Sequence, residues 1–274
     1  MSRLVVGTDN GAAVELYFED VGSGRPVVLV HGWPLSQRLW DQQVRPLVAA
    51  GHRVVSYDRR GFGRSSHPWD GYDVDTFAAD LAQLMESRRL HDAALVGFSS
   101  GCADVLRYVA VHGTRRLNRL VLISPPPDSS GPEAAEATAM FGGGESVAAS
   151  IHHRVAMLDE VVTRMFAVDG LAAVDEPTRR FHVALAAEAS AKAVTDSIAA
   201  AGAADLEAAL ARVDVPVLAI VGGADAVTDP ARTMRWLAGA APGIRMTAVP
   251  HAPHAVPVTH AEECNAAVLA FLTS

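Results

Sequence analysis

Ser99 stands in a run of five residues whose types can make a serine hydroxyl reactive. The run is Gly97-Phe98-Ser99-Ser100-Gly101, between an apolar strand-like segment, 93–96, and a helical stretch, 102–112. A serine hydroxyl is a poor nucleophile at neutral pH, so it needs a sharp turn that presents it to a base and to backbone N–H groups. The two glycines allow the turn and let the new helix pack closely. The run therefore predicts a nucleophilic serine between a strand and a helix.

Asp225 has the position expected of a carboxylate that holds a catalytic histidine. When the serine lies between a strand and a helix, its partners follow along the chain in the order Asp, His. Asp225 comes just after the strand-like segment 215–221, and the two glycines before it let the chain turn over the end of a sheet. Asp229 is the competing acid, although its place before a helix also suits an N-cap. We expect Asp225 to be the acid.

His254 is the histidine best placed to act as the base. It lies in a loop after the last strand-like segment, where Pro250 and Pro253 stiffen the turn that must hold the imidazole. His251 in the same loop is the nearest competitor. His260 also competes, but it stands at the start of the last helix and fits an exposed or capping position there. Spacing alone does not separate the three, and we expect His254 to be the base.

An oxyanion hole needs one N–H from the residue after the nucleophile, Ser100, and one from the loop after an early central strand. That loop follows the strand-like segment 26–30 and contains Trp33. Trp33 is expected to donate its N–H and to wall the pocket with its ring, while Pro34 restricts it to extended backbone. His31 in the same loop is expected to be structural, its ring tying the loop to a neighbour.

The elements that must position these residues alternate between strand-like and helix-like patterns. Parallel strands joined by crossover helices build a doubly wound, mostly parallel sheet, whose ligands lie at the carboxyl ends of the strands. The strand-like segments are 14–19, 26–30, 52–57, 93–96, 119–123, 215–221 and 244–249, and the helix-like ones are 35–49, 76–87, 102–112, 231–238 and 261–272. The sequence therefore predicts an α/β fold.

A proline run at 125–127 interrupts this alternation, because proline continues neither a helix nor a central strand. From Glu133 to about Ala211 the chain is alanine-rich and helix-prone. We expect one core domain, 1–124 and 212–274, with a helical cap inserted at 125–211. The glycines at 142–144 lack the Lys-Ser/Thr of a phosphate loop and suit a hinge in this cap. The pair His152-His153 lacks carboxylates at ligand spacing, so no metal site is expected.

Composition excludes several classes of partner. The chain has 274 residues, 50% of them apolar, and a net charge of −8 without a long basic block, which argues against nucleic-acid binding. No apolar run is long enough to cross a membrane, and the amino terminus lacks a signal-peptide core, so we expect a cytoplasmic protein. The only cysteines, Cys102 and Cys264, are expected to be reduced and buried.

Asp58-Arg59-Arg60-Gly61 is the one motif whose charge suggests an anion site. In a doubly wound fold such a loop more often braces the top of the sheet through ion pairs and tight turns. We expect the bracing role.

Five spaced motifs carry a family resemblance: 31–35 (HGWPL), 57–66 (YDRRGFGRSS), 68–71 (PWDG), 97–101 (GFSSG) and 252–254 (APH). Together they resemble the α/β-hydrolase superfamily and, within it, the cofactor-free haloperoxidase and arylesterase branch. The resemblance implies that Ser99 is the nucleophile, Asp225 the acid and His254 the base, with Trp33 and Ser100 forming the oxyanion hole. It also implies that any haloperoxidase chemistry proceeds without metal or haem, so no cofactor is expected.

The expected function is hydrolysis of a small-molecule carboxylic ester or related acyl compound through an acyl-enzyme, with perhydrolase or haloperoxidase activity as a side reaction. Two alternatives stay open: a carbon–carbon bond hydrolase or lyase that uses the same residues, and a ligand-binding protein with little turnover. Oligomeric state is not fixed by the sequence, and a homo-oligomer is compatible with it.

Overall fold

The computed structural model of the chain describes residues 2–126, 153–201 and 205–274. In these ranges ten strands form an eight-stranded sheet and a separate two-stranded ribbon. The strands are β1 (Ser2–Asp9), β2 (Ala12–Gly22), β3 (Pro26–Val30), β4 (Arg53–Tyr57), β5 (Ala93–Phe98), β6 (Leu117–Ile123), β7 (Ala167–Val168), β8 (Leu171–Ala172), β9 (Val217–Gly222) and β10 (Arg245–Val249).

The large sheet has the order β1-β2-β4-β3-β5-β6-β9-β10. β1 and β2 form an antiparallel hairpin, β2 is antiparallel to β4, and all remaining pairs are parallel. In the parallel part, Val30 lies opposite Gly97, and Ile123 lies between Phe98 and Ile220. The strands therefore end together, so the loops that follow β3, β5, β9 and β10 meet at one edge. The mostly parallel, doubly wound sheet predicted from the sequence is confirmed.

Helices cover both faces of the sheet because the central strands are buried on both sides. One face packs against α1 and α10, and the other against α2, α3, α7 and α8. A short 3₁₀ turn, Gln37–Trp40, leads into the first helix. The helices are α1 (Asp41–Ala49), α2 (Val74–Ser87), α3 (Ser100–His112), α4 (Arg154–Met165), α5 (Glu176–Ala187), α6 (Ala191–Ala201), α7 (Leu206–Leu210), α8 (Pro230–Ala240), α9 (Val256–Thr259) and α10 (Ala261–Thr273).

The segment 153–201 lies on the loops at the carboxyl edge of the sheet. Ser190 donates its N–H to the Gly61 carbonyl at 2.9 Å, and the Ala255 N–H donates to the Met165 carbonyl at 2.9 Å. Its helices α4, α5 and α6 match the predicted helical character, but the ribbon β7–β8 was not predicted from the sequence. The predicted glycine hinge and His152 lie outside the described residues. The predicted cap boundaries stay a prediction, and within them α7 packs beside α3 on the core.

Lys192 links this segment to a loop of the core. Its ammonium lies 2.6 Å from the Asp196 carboxylate and 3.7 Å from that of Asp70, and it stands 4.9 Å from the centre of the Trp69 ring. Trp69 itself is 66% exposed. Lys192 thus joins α6 to the loop before α2 through the Asp70 carboxylate and the Trp69 ring.

The predicted bracing role of the motif at 58–61 is confirmed. Arg60 forms a bidentate ion pair with Asp80 on α2, with both hydrogen bonds at 2.7 Å. Arg59 reaches Asp104 on α3, its Nε lying 2.8 Å from Oδ2. The two arginines thereby tie the loop after β4 to the two helices on one face of the sheet.

Cys102 and Cys264 are free and fully buried, as predicted. Among the described residues, no helix combines the length and the apolarity that a membrane crossing requires.

Candidate active site

Ser99 occupies the sharp turn between β5 and α3. Its backbone has φ +50° and ψ −124°, a left-handed conformation that is costly for any residue with a side chain. The Ser99 N–H donates to the Ile123 carbonyl of β6 at 2.9 Å, which anchors the turn to the neighbouring strand. The sequence predicts the sharp turn but not its strain, and the structure places the serine at the edge where the parallel strands end.

The flanking glycines make room for the turn. A Cβ on Gly97 would lie 2.8 to 2.9 Å from backbone atoms of Gly101 and Cys102, and a Cβ on Gly101 would lie 2.5 Å from the Val30 carbonyl oxygen. No side chain fits such distances without moving backbone. The close approach of α3 to β3 therefore depends on Gly101.

Ser99, His254 and Asp225 form one chain of hydrogen bonds. The His254 Nε2 lies 2.9 Å from the Ser99 Oγ, and the His254 Nδ1 lies 2.7 Å from the Asp225 Oδ2. Because the carboxylate only accepts, Nδ1 carries the proton, and Nε2 is left free to accept from the serine. Asp225 and His254 are both buried. The three residues that sequence reasoning selected are thus brought together in the geometry of a nucleophile, a base and an orienting acid.

Three further donors fix the Asp225 carboxylate. Its Oδ1 accepts the N–H groups of Val227 at 2.7 Å and Thr228 at 2.8 Å, and its Oδ2 accepts the Thr228 hydroxyl at 2.7 Å. Burial by itself raises the pKa of this carboxyl, but His254 and the Thr228 donors outweigh it and hold the Asp225 pKa below its ordinary value. Asp225 is therefore an anion that points at the imidazole.

The competing residues have other roles. Asp229 is the N-cap of α8, where its Oδ1 accepts the Arg232 N–H at 2.9 Å. His251 is exposed, and His260 stands between α9 and α10 with its Nδ1 3.1 Å from the Thr259 hydroxyl. None of the three lies on the hydrogen-bonded chain that contains Ser99.

His31 is a structural residue, as predicted. It is fully buried, its Nδ1–H donates to the Gly32 carbonyl at 3.0 Å, and its Nε2 accepts the Arg59 N–H at 3.0 Å. Burial, helped by the positive charge of Arg59, lowers the pKa of His31 to about 3. The ring is therefore neutral at ordinary pH and joins the loop after β3 to the loop after β4.

Trp33 and Ser100 contact each other in a way the sequence did not anticipate. The Trp33 backbone N–H donates to the Ser100 Oγ at 2.8 Å, and the Trp33 indole N–H donates to the Val194 carbonyl of α6 at 3.1 Å. The Trp33–Pro34 peptide is cis. Both predicted oxyanion residues therefore lie beside the nucleophile, and the Ser100 side chain joins them.

Arg59 is the residue near the site that sequence reasoning assigned only to bracing. Its Nη1 donates to the Ser100 Oγ at 3.2 Å, so the same side chain that pairs with Asp104 also reaches the turn. The guanidinium is 3% exposed and lies 4.0 Å from the centre of the Phe77 ring. Burial raises the pKa of Asp104, against the opposing effect of Arg59. The spacing of Asp104 from Ser100, one helical turn, was the only signal in the sequence.

The site matches a known family. The model of the alpha/beta hydrolase fold matches residues 25–141. A relative from Synechocystis sp., whose name assigns it provisionally to the non-heme chloroperoxidases, is 37% identical over 279 residues, which cover 99% of this chain and 100% of that protein. The chain therefore belongs to the α/β-hydrolase family of enzymes.

Two further comparisons refine this assignment. The crystal structure of a bromoperoxidase from Bacillus anthracis superimposes with a TM-score of 0.92 at 39% identity, covering 100% of this chain and 99% of that one. A bifunctional esterase/perhydrolase from Acinetobacter calcoaceticus is 32% identical over 270 residues, covering 95% of this chain and 97% of that protein. The predicted resemblance to the haloperoxidase and esterase branch of the family is confirmed.

Proposed function

We propose that this chain is a serine hydrolase that cleaves a small carboxylic ester or related acyl compound through an acyl-enzyme. The observation that carries the proposal is the hydrogen-bonded chain from Ser99 through His254 to Asp225, with distances of 2.9 and 2.7 Å. Ser99 is also held in a strained turn at the start of a helix, where nucleophile and oxyanion donors converge.

In the acylation step, His254 Nε2 takes the proton of the Ser99 hydroxyl while Oγ forms a bond to the substrate carbonyl carbon. Asp225 stabilises the imidazolium that results and keeps its orientation. The backbone N–H groups of Ser100 and Trp33 are the predicted donors to the negative charge on the carbonyl oxygen. In the free site the Trp33 N–H donates to the Ser100 Oγ. The tetrahedral intermediate collapses when His254 protonates the leaving alcohol, which departs and leaves an ester on Ser99.

Deacylation repeats these steps with water. His254 takes a proton from the water molecule as its oxygen attacks the acyl carbon, and the proton then returns to the Ser99 oxygen as the carboxylic acid leaves. Specificity for the acyl group is proposed to come from the inserted segment 125–211, because its described part lies against the loops that carry Trp33 and the base.

Covalent labelling with a fluorophosphonate tests the assignment of the nucleophile. The wild-type protein is expected to gain one probe mass on Ser99, and Ser99→Ala is expected to gain none. Ser87→Ala is a matched control, since the Ser87 hydroxyl donates to the Leu84 carbonyl at 3.1 Å at the carboxyl end of α2 and is not part of the hydrogen-bonded chain of Ser99. An unlabelled wild-type protein, or labelling at another serine, contradicts the proposal.

A panel of acyl esters and lactones of graded chain length then identifies the substrate class. Turnover that depends on Ser99 supports the hydrolase. Cleavage of a carbon–carbon bond in β-diketones without ester turnover would favour the alternative lyase or carbon–carbon hydrolase. Equal ligand binding by wild type and Ser99→Ala, with no turnover, would favour a binding protein.

Perhydrolysis is a second activity that the comparisons favour, because relatives carry the names bromoperoxidase and esterase/perhydrolase. Here hydrogen peroxide replaces water, attacks the acyl carbon and releases a peracid, while Ser99 regains its proton. The peracid then oxidises halide to hypohalous acid and returns to the carboxylic acid. Bromination of monochlorodimedone with acetate, peroxide and bromide measures this activity, which we expect in wild type and not in Ser99→Ala.

A further inference from the structure

The Ser100 hydroxyl, beside the nucleophile, accepts two hydrogen bonds that fix its position. Its Oγ accepts the Trp33 backbone N–H at 2.8 Å and the Arg59 Nη1–H at 3.2 Å. We propose that the Ser100 hydroxyl is an additional oxyanion donor, positioned by Trp33 and polarised by Arg59. This inference rests on the proposed function and adds a catalytic residue to it.

The number of lone pairs decides the direction of the hydroxyl proton. A serine hydroxyl has two lone pairs and one proton. Backbone N–H and guanidinium groups only donate, so the two contacts use both lone pairs of Ser100. Among the described residues, no hydrogen bond uses the Ser100 O–H as donor. The proton is therefore available to an acceptor that arrives from outside, and the carbonyl oxygen at Ser99 is the acceptor that the reaction brings there.

Arg59 makes this hydroxyl a stronger donor than an ordinary serine. A hydrogen bond from a cation polarises the group that accepts it, and neighbouring bonds in a chain strengthen one another. Asp104 and Phe77 position the guanidinium: the Arg59 Nε lies 2.8 Å from the Asp104 Oδ2, Nη2 donates to the Asp104 Oδ1 at 3.4 Å, and the Phe77 ring lies against it. The positive charge of Arg59 thus acts on the oxyanion through the Ser100 hydroxyl. Arg59 is in this sense a positioning residue.

The hydrogen bond between the Trp33 N–H and the Ser100 Oγ could also lower the rate, because it occupies the N–H that was predicted to donate to the oxyanion. If the hydroxyl only blocked that N–H, removing it would free the donor and raise the rate. If it donates, removing it lowers the rate. The sign of the change in Ser100→Ala separates the two.

The experiment compares wild type, Ser100→Ala and Ser100→Thr with one short acyl ester, using enzyme whose active-site concentration is titrated with the fluorophosphonate. Loss of one oxyanion donor typically costs about 10²- to 10³-fold in kcat. We expect Ser100→Ala to lose kcat in that range with KM nearly unchanged, and to bind an alkylboronic acid more weakly by a similar factor. Ser100→Thr keeps the hydroxyl and is expected to retain most of kcat.

Arg59→Lys, measured in wild type and in Ser100→Ala, tests whether the charge of Arg59 acts on the oxyanion through the Ser100 hydroxyl. A lysine is a point donor that cannot serve Asp104 and Ser100 together as the guanidinium does. We expect Arg59→Lys to lower kcat in wild type and to change it little in Ser100→Ala. Equal losses in both backgrounds would assign Arg59 to structure alone.

An unchanged or higher kcat in Ser100→Ala overturns the inference, while normal labelling of Ser99 in that variant leaves the proposed function standing. Failure of wild type to label overturns the proposed function and the inference together. The active-site titration corrects for misfolded enzyme. If Ser100 had a purely structural role, the correctly folded fraction of Ser100→Ala would therefore bind the boronic acid as tightly as wild type.

Discussion

Asp225 illustrates how the surroundings of one side chain determine what it can do. Two backbone N–H groups and one hydroxyl hold its carboxylate against His254, and its pKa lies below the ordinary value despite burial. An asparagine of the same shape would offer an amide with only one acceptor oxygen. That oxygen cannot satisfy the three donors and the His254 Nδ1–H together.

Asp225→Asn is therefore expected to leave the fold intact and lower kcat by about 10⁴-fold, because the imidazole would adopt the wrong tautomer. Thr228→Val is the matched control. It removes one hydrogen bond to the same charged carboxylate, which is worth about 1.5–3 kcal/mol and predicts a smaller loss of roughly 10- to 150-fold. Steady-state kinetics with titrated enzyme check both variants. Similar losses in the two would contradict the role given to Asp225.

His31 leads to a prediction about stability and pH. Its pKa is about 3 in the folded protein, while an unfolded histidine has a pKa of about 6.5. Between these values the unfolded chain binds the extra proton, so the folded state loses stability as pH falls from 6.5 towards 3. The loss from this group is about 1.4 kcal/mol per pH unit.

His31→Gln removes this titration, so its stability deficit relative to wild type is expected to shrink by about 1.4 kcal/mol for each unit below pH 6.5. Urea unfolding of both proteins at pH 8, 6 and 5 measures the difference. Comparing the two proteins cancels the contributions of carboxyl groups that titrate in both. A deficit that stays constant with pH would show that His31 is not the buried neutral group described above.

For individual side chains, the sequence predicts the three members of the hydrogen-bonded chain but not the network around Ser100. Ser99, Asp225 and His254 each follow a predicted strand, so topology alone brings them to one edge. The contact of Arg59 with Ser100 depends on the conformations of two loops and on helix packing. Pattern and spacing carry no information about such side-chain directions.

At the scale of elements, the approach of α3 to β3 depends on a missing side chain. Gly101 lies in α3 with its α-carbon against the Val30 and His31 carbonyls, where a methyl group would stand 2.5 and 2.7 Å from the two oxygens. Gly239 lies in α8, is exposed and has nothing within 4 Å of the position of a Cβ. The two glycines are thus a matched pair in two helices.

Gly101→Ala is expected to destabilise the protein by about 1–3 kcal/mol, the usual range for overpacking, and to lower activity because the turn at Ser99 must shift. Gly239→Ala is expected to stabilise it by about 0.5–1 kcal/mol, since alanine is the better helix former. Thermal or urea unfolding gives both values. Stabilisation by both substitutions would mean that α3 does not approach β3 this closely.

The ribbon β7–β8 shows where prediction of elements fails. Its strands have two residues each, around Asp169 and Gly170 with φ of +50° and +78°. Such short strands are below the length at which alternation of apolar and polar residues is detectable. The Asp-Gly pair is typical of a turn, and it is the only signal of the ribbon in the sequence.

Across the whole molecule, the reactivities of the two cysteines measure how readily the helix layers on the two faces of the sheet open. Cys102 lies in α3 on one face, and Cys264 lies in α10 on the other, and each is fully buried. Burial raises the pKa of both thiols, to about 12 for Cys264. A reagent that needs a thiolate therefore reaches either sulfur only when that region of the protein opens.

We expect the folded protein to show almost no reaction with Ellman's reagent, and both thiols to become reactive together as urea unfolds the chain. Mass spectrometry of the labelled peptides assigns each thiol, and far-UV circular dichroism gives the unfolding curve for comparison. Rapid reaction of one cysteine before the main transition would show that one layer of helices opens independently of the other.

Lys192 has a further consequence, because it is the only lysine in the sequence. Its side chain is 27% exposed, and its hydrogen bond to Asp196 raises its pKa, so acylating reagents need alkaline conditions to modify it. Lys192 is therefore the one side chain that an amine-directed reagent can modify, and the α-amino group, whose ordinary pKa is about 8, reacts before it. Acylation removes the ammonium charge that contacts Asp196, Asp70 and the Trp69 ring, so modification of Lys192 is expected to weaken the contact between α6 and the loop before α2.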